Sequence, residues 1–183
     1  GGFLYSYIKK GPPGRADKGG HCMKTLILFA SRYGATEENA YMLKSAIGGD
    51  VTLCNIRDRS ISLEDYDTVI IGSCVYMFKL DKHIKRFLRR NEKALLQKKL
   101  GLYLCCYTTP GTEGYLEHFF SPELLAHAAA KDILGGKMQY EKMSYAYKQL
   151  FGALMTSPQY RAQYAEPKLD IARIDAFAAA MRG

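Results

Sequence analysis

The chain has 183 residues, of which 48% are hydrophobic and 24% charged, and it carries a formal net charge of +8. These proportions are those of an average globular chain, so they exclude collagen, coiled-coil and disordered classes. The longest apolar runs reach only about a third of the ~20 residues that a membrane-spanning helix needs, so no span is expected. A chain of this length is predicted to form one compact domain with a substantial core.

Residues 1–22 differ from the rest of the chain. They show no hydrophobic periodicity and hold six of the 17 glycines and two of the six prolines. A signal peptide is disfavoured because no long apolar segment is present. We predict that residues 1–22 are a non-native or disordered extension and that the folded domain comprises residues 23–183, beginning at Met23.

Strands and helices alternate along the domain. Continuous apolar runs predict strands that are covered on both faces, at residues 24–30, 51–56, 68–75 and 100–107 and within 131–140. Helical periodicity predicts a helix after the first strand with Ala40, Leu43 and Ile47 on one stripe, and further helices at residues 80–95, 121–130 and 141–155 and after Pro167. The last of these has an apolar face that comprises Ile171, Ile174, Ala178 and Met181.

This alternation predicts an α/β fold with a doubly wound, five-stranded parallel sheet and helices on both faces. Such sheets bind ligands at the carboxyl ends of their strands, beside the switch in strand order. Functional residues are therefore expected in the loops after the first, third and fourth strands.

The loop after the first strand predicts an anion-binding site. Two hydroxyls flank a glycine, and a helix follows at once, in the order Ser31, Arg32, Tyr33, Gly34, Ala35, Thr36. Hydroxyls, backbone amides and the positive end of a helix dipole suit a phosphate monoester. The loop matches neither GxxxxGK[ST] nor GxGxxG, which disfavours ATP and dinucleotides. The alternative is an ordinary polar turn with Thr36 as the helix cap.

Two later loops offer apolar and aromatic side chains. The isoalloxazine ring of a flavin needs such faces, together with backbone groups along its pyrimidine edge. The loop after the third strand contains Ser73, Cys74, Val75, Tyr76, Met77 and Phe78, and the loop after the fourth begins with Cys106, Tyr107 and Thr108. Half-buried tyrosines that bind no ligand are the alternative at Tyr76 and Tyr107.

These segments resemble the flavodoxin-domain family that includes bacterial menaquinone-dependent protoporphyrinogen oxidases. The similarity lies in LFASRYGATEENA, IGSCVYMFKLDKHIKRFLRRN, LCCYTTPGTEGYLEHFFSPELLAHA and GGKMQYEKM, and it continues into the closing helix. The resemblance implies a flavodoxin-like fold with strand order 2-1-3-4-5 and FMN as cofactor. It matches residues 31–36 to the phosphate loop, Ser73, Tyr76 and Met77 to the second flavin loop, and Cys106, Tyr107 and Thr108 to the third.

The resemblance further implies an FMN-dependent oxidoreductase that oxidises protoporphyrinogen IX or a related substrate with a quinone acceptor. The alternative is a flavodoxin-type electron-transfer protein without a substrate of its own. Residues 79–99 hold nine basic and two acidic residues, whereas shuttle flavodoxins tend to be acidic. A basic surround stabilises an anionic reduced flavin and therefore favours the enzyme. The segment 138–164 varies within the family, so the resemblance leaves the substrate open.

The remaining charged and reactive residues give weaker indications. Residues 79–99 are interpreted as a solvated helix face, with anionic lipid or a carboxylate-bearing substrate as alternatives, and no nucleic-acid partner is expected. None of the histidines is predicted to be catalytic. An odd cysteine count without CxxC spacing predicts reduced thiols in a cytoplasmic protein and no metal site, with a redox role as the alternative. Met143, Leu150 and Leu154 predict a helical stripe packed on the domain, with an interfacial surface or lid as the alternative.

Overall fold

The structure is a computed structural model that describes residues 23–31, 34–58, 61–76, 79–106, 114–136, 140–164 and 168–182. The predicted extension, residues 1–22, lies outside these ranges. The strands are β1 (Lys24–Ala30), β2 (Asp50–Asn55), β3 (Thr68–Tyr76), β4 (Lys79–Leu80), β5 (Lys99–Cys105) and β6 (Ala130–Ile133). The helices are α1 (Ala35–Ile47), α2 (Lys82–Leu95), α3 (Tyr115–Phe119), α4 (Pro122–His127), α5 (Tyr145–Thr156), α6 (Pro158–Gln163) and α7 (Ile171–Arg182).

Five parallel strands form the main sheet in the order β2-β1-β3-β5-β6. The two-residue β4 pairs antiparallel with the end of β3 and lies off this path. Apart from this short additional strand, the predicted five-stranded, doubly wound sheet and its strand order are confirmed. The described residues of the crossover from β2 to β3 form no helix, and Leu63 from this crossover is buried in the core on one face of the sheet.

The alternation of side chains in β1 explains why both faces of the sheet are covered. Leu26 and Leu28 belong to a core that also contains residues of α2 and α4. Ile27 and Phe29 point to the opposite face, where they join residues of α1 and α7. A strand that is apolar at every position is stable only between two such layers. The result is a three-layer α/β/α arrangement.

The C-terminal third of the chain differs most from the prediction. The helix predicted over 121–130 ends at His127, because Ala128 adopts an extended conformation before β6 begins. The helix predicted from residue 141 begins at Tyr145, after a 3₁₀ turn, and Pro158 starts a further helix, α6. In α7, Phe177 is buried, whereas Ile171 is 51% exposed and does not belong to the buried face.

The packing prediction for the segment 141–163 is only partly correct. Met143 is buried, but Leu150 is 42% exposed and Leu154 is 40% exposed. α5 packs on α6, and Phe151 of α5 contacts Tyr164, the residue after α6, with ring centroids 5.5 Å apart. The predicted stripe is wrong for the two leucines because α5 packs mainly on α6. Within the described part of the chain, no helix is long and apolar enough to cross a bilayer.

Candidate functional site

The three loops singled out from the sequence leave adjacent strands at one edge of the sheet. β1, β3 and β5 are neighbours and run parallel, so Ser31, Tyr76 and Cys106 are brought to the same carboxyl edge. The chain after β1 enters α1 on one face, and the chain after β3 enters α2 on the other. A crevice is formed where successive crossovers diverge in this way.

The first loop delivers the chain into α1 through a left-handed glycine. Gly34 has φ 94°, a conformation that side-chain-bearing residues rarely adopt. Its N–H donates to Ser31 Oγ at 3.1 Å, and its carbonyl accepts from the N–H of Glu38 at 2.9 Å, which closes the first turn. Gly34, and not Thr36, is therefore the cap residue. No side chain of the described residues caps α1, so its first amides are available to an anion.

A buried polar cluster lies beneath this first turn. Thr36 is 1% exposed. The hydroxyl of Tyr103, in β5, donates to the Thr36 carbonyl at 3.2 Å. Thr36 Oγ1 lies beside the Cys105 sulfur but makes no hydrogen bond of normal geometry to any described group. The backbone of the turn is thus anchored on the sheet while the Thr36 hydroxyl keeps unused hydrogen-bonding capacity.

Cys105 and Cys106, at the end of β5, are neutral thiols. Burial raises the pKa of Cys105 to about 12, a rise that is partly opposed by the Asn39 amide, whose Nδ2 donates to Cys105 Sγ at 3.0 Å. Burial also raises the pKa of Cys106 to about 11. A thiol with such a pKa is protonated at neutral pH and is a poor nucleophile. Cys105 and Cys106 therefore act here as packed, weakly polar groups.

Ser73 has a structural task in the second loop. It is fully buried, its hydroxyl donates to the Cys74 carbonyl at 3.1 Å, and its oxygen accepts from the Asp81 N–H at 3.4 Å. The bond from the Asp81 N–H joins β3 to the start of α2. Cys74 and Val75 are half-buried at the end of β3, so they border the crevice more directly than Ser73 does.

An ion pair that the sequence did not predict joins the chain after β2 to the start of α2. Asp81 Oδ1 accepts from the His83 N–H at 2.9 Å and so caps α2, while Oδ2 pairs with Arg57, 24 residues away. Burial raises the pKa of Asp81, but the Arg57 guanidinium and the His83 N–H outweigh that effect, and the net shift is downward. An aspartate just before a helix is a recognisable cap signal. Nothing in the local sequence identifies Arg57 as its partner.

The third loop begins at Cys106, which is buried. A Cβ placed on Gly136 would lie 3.0 Å from the Cys106 carbonyl oxygen, so the chain after β6 passes close to this loop. Gly135, with φ 78°, forms a bridge with Leu169. The segments after β6 and before α7 therefore form an outer wall of the site that the sequence did not indicate.

The predicted site residues Arg32, Tyr33, Met77, Tyr107 and Thr108 lie outside the described residues.

Comparisons with known proteins support this description of the fold. A sequence model of a flavodoxin domain matches residues 26–163, whereas none of the curated proteins matches the chain. The oxidised flavodoxin 1 of Bacillus cereus is 20% identical with a TM-score of 0.50, over 78% of this chain and 99% of that one. The two-electron reduced flavodoxin of Megasphaera elsdenii is 16% identical with a TM-score of 0.51, over 86% and 98%. Oxidised flavodoxin 2 of Bacillus cereus is 19% identical with a TM-score of 0.51, over 86% and 96%.

Proposed function

The chain belongs to the flavodoxin-domain family, and from this premise we propose that it binds FMN and works as a redox protein. The observation that carries the proposal is the start of α1 at the switch in strand order. There the left-handed Gly34 leads into a helix whose first turn no described side chain caps. A helix N-terminus of this kind is suited to a phosphate group.

The described groups around this turn fit a phosphate. Ser31 Oγ accepts from the Gly34 N–H, and its own O–H remains able to donate to an anion. Thr36 contributes a second hydroxyl whose hydrogen-bonding capacity is unused among the described residues. Hydrogen bonds to a charged phosphate are shorter and stronger than those to neutral groups. Ser31, Thr36 and the first amides of α1 would therefore hold the phosphate of FMN.

The carboxyl ends of β3 and β5 would border the flavin ring. Val75 and Cys106 supply apolar or weakly polar surface there, and the neutral Cys106 thiol adds no negative charge. Tyr76, Met77, Tyr107 and Thr108 remain the proposed ring contacts. When bound, FMN supplies one- and two-electron transfer, and the protein's part is to position the ring and set its surroundings.

A pair of threonine variants tests the phosphate contact. Thr36→Val should weaken FMN binding by about 1–3 kcal/mol, because a hydrogen bond to a charged group is lost, and should change riboflavin binding much less. Thr68→Val is the matched control: Thr68 is 1% exposed and its Oγ1 also lacks a described partner, but it lies at the amino end of β3. Fluorescence titration with FMN, riboflavin and FAD gives the affinities.

Three results would argue against the proposal. If the wild-type protein does not bind FMN, the proposed cofactor is wrong. If FAD binds at least as tightly as FMN, the site is not a simple phosphate-monoester site. Equal losses for FMN and riboflavin in Thr36→Val would show that the hydroxyl does not meet the phosphate. Thr68→Val keeps this last comparison independent of any general loss of stability.

For the reaction, we propose oxidation of an anionic substrate, protoporphyrinogen IX or a related compound, with a quinone as acceptor. The supporting observation is the charge of α2, which carries six exposed basic side chains and one acidic residue. Such a field raises the encounter rate of a substrate bearing carboxylates, an effect that decreases as salt increases. The exposed apolar side chains of α5 offer a surface to an apolar acceptor. The alternative, an electron shuttle, is supported by the fold shared with flavodoxins.

One assay separates these two functions. The flavin-loaded protein is supplied with protoporphyrinogen IX and a menaquinone analogue, and porphyrin fluorescence is followed against the rate of autoxidation without protein. A protein-dependent rise that weakens between about 50 and 500 mM salt supports the oxidoreductase. No rise, together with rapid one-electron exchange with a flavodoxin reductase, assigns the protein to the shuttles.

A further inference from the structure

An open groove lies on the α2 face of the sheet, outside the proposed FMN crevice. It has a volume of about 390 Å³ and lies between α2 and the crossover from β2 to β3. Its lining residues are Ile56, Ile61, His83, Arg86, Phe87, Arg90 and Asn91. A volume of this size is within the range of small-molecule sites.

The groove has two chemically distinct sides. Ile56 and Ile61 come from the crossover and pack against the core that includes Ile84 and Leu88 of α2, so this wall is apolar and supported. Phe87 extends the apolar surface onto α2. The result is a floor that would cover the apolar body of a ligand.

Two arginines provide the polar side. Arg86 and Arg90 are four residues apart on α2, so their Cβ atoms lie about 5–6 Å apart on one face of the helix. Both are exposed, and neither forms a salt bridge with a carboxylate of the described residues. Two guanidinium groups at this spacing can converge on one carboxylate.

The other charges at the groove leave this positive potential in place. The carboxylate of Asp81, just before α2, is already paired with Arg57. His83 lines the groove, and its Nδ1 is buried without a hydrogen-bond partner in the described part of the chain. Asn91 is uncharged, and its Nδ2 donates a hydrogen bond to the Phe87 carbonyl at 2.9 Å. No described negative charge in the groove therefore competes with an anion.

We propose that this groove is a second ligand site, which binds a small amphipathic carboxylate. The apolar body of the ligand lies against Phe87 and the isoleucines of the crossover, and the carboxylate is held by Arg86 and Arg90. The site does not require FMN, because the described lining residues all belong to the crossover or to α2.

The test uses 2-naphthoate and its neutral counterpart of the same shape, 2-naphthamide. Each is titrated into the full chain at 150 mM salt, with and without saturating FMN, and followed by amide chemical shifts. We expect 2-naphthoate to shift resonances of α2 and the crossover and to bind about fivefold or more tightly than 2-naphthamide, because only the carboxylate engages the arginines.

Matched variants locate the interaction. Arg86→Gln and Arg90→Gln should each weaken 2-naphthoate binding by about three- to tenfold, a range that allows for solvent screening of exposed charges. Arg89→Gln removes the same charge from the same helix at an exposed position outside the groove and should change the affinity less than about twofold.

The proposal is overturned if 2-naphthoate shows no saturable binding, or if 2-naphthoate and 2-naphthamide bind equally. It also fails if Arg89→Gln weakens binding as much as Arg86→Gln. The ligand would then respond to the overall positive charge of α2 and not to the arginines that line the groove. Displacement of 2-naphthoate by FMN would place the probe in the flavin crevice instead. Because affinity is measured with and without FMN, failure here is distinguishable from failure of FMN binding.

Discussion

Replacing Gly72 by alanine should strongly destabilise the protein, because the ring of Tyr103 occupies the space beside it. Gly72 lies in β3, opposite Tyr103 of the neighbouring β5. A Cβ at position 72 would lie 2.0 Å from Tyr103 Cζ, 2.3 Å from its hydroxyl oxygen and 2.4 Å from Cε1. Carbon atoms pack at about 3.5–4.0 Å, so the ring must move.

The movement has two costs. Tyr103 is fully buried and its ring packs edge-on against Phe177, with centroids 6.1 Å apart, so displacing it strains the core by about 1–3 kcal/mol. Its hydroxyl would also lose the Thr36 carbonyl, which leaves a buried donor unpaired at a further cost of about 1–3 kcal/mol. Alanine regains about 0.5–1 kcal/mol of chain entropy relative to glycine. The net loss is therefore about 1–5.5 kcal/mol, with a midpoint of about 3 kcal/mol, a large part of the stability of a typical domain.

Urea denaturation followed by circular dichroism measures this loss, since the chain contains no tryptophan. Gly101→Ala is the matched control: its Cβ would lie 3.0 Å from Phe177 Cζ, 3.1 Å from Met181 Sδ and 3.2 Å from Ile70 Cγ1. Small shifts of these side chains relieve such contacts, and we expect a loss of about 1 kcal/mol.

A double-mutant cycle then identifies the cause of the loss at Gly72. In a Tyr103→Leu background, Gly72→Ala should be nearly neutral, because leucine does not reach the positions of Cζ and the hydroxyl. In a Tyr103→Phe background, Gly72→Ala should remain destabilising, because the Cζ and Cε1 atoms that collide with the new Cβ are still present. Similar losses for Gly72→Ala and Gly101→Ala, or an unchanged loss in the leucine background, would refute the reasoning.

Three further predictions concern ionisation and exposure. The pKa of Asp81 is lowered below its ordinary value of 3.8, so its pairing with Arg57 stabilises the fold above about pH 4 and is lost as the pH falls through the folded-state pKa; Asp81→Asn should flatten the decline in urea midpoint between pH 7 and pH 3. Iodoacetamide at pH 8 should leave Cys105 and Cys106 unmodified until the protein unfolds, because burial raises both thiol pKa values; labelling of either residue in the native protein, detected by mass spectrometry, would contradict this. Leu150→Gln should change the free energy of unfolding by less than about 0.5 kcal/mol, since this side chain is 42% exposed; a loss above about 2 kcal/mol would indicate that α5 packs on the core.

The sequence alone determined the sheet and the edge at which the candidate site lies. The runs at 24–30 and 68–75 are apolar at consecutive positions, which is stable only in strands covered on both faces, and they became β1 and β3. Alternation with helices then required parallel strands, whose carboxyl ends meet at one edge. Ser31 and Cys106 are for this reason brought to the same edge although 75 positions separate them. Local pattern and chain connectivity were sufficient for these conclusions.

Only the tertiary structure decided which groups are already engaged. Ser73 joins β3 to α2 through its hydroxyl, and Tyr103 anchors the Thr36 carbonyl, because the sheet register brings those atoms within hydrogen-bond distance. Leu150 is exposed because α5 packs against α6, although its helical stripe predicted burial. Hydrophobic periodicity shows which side chains of a segment can be buried. Which element packs against them depends on contacts between elements that are far apart in the chain.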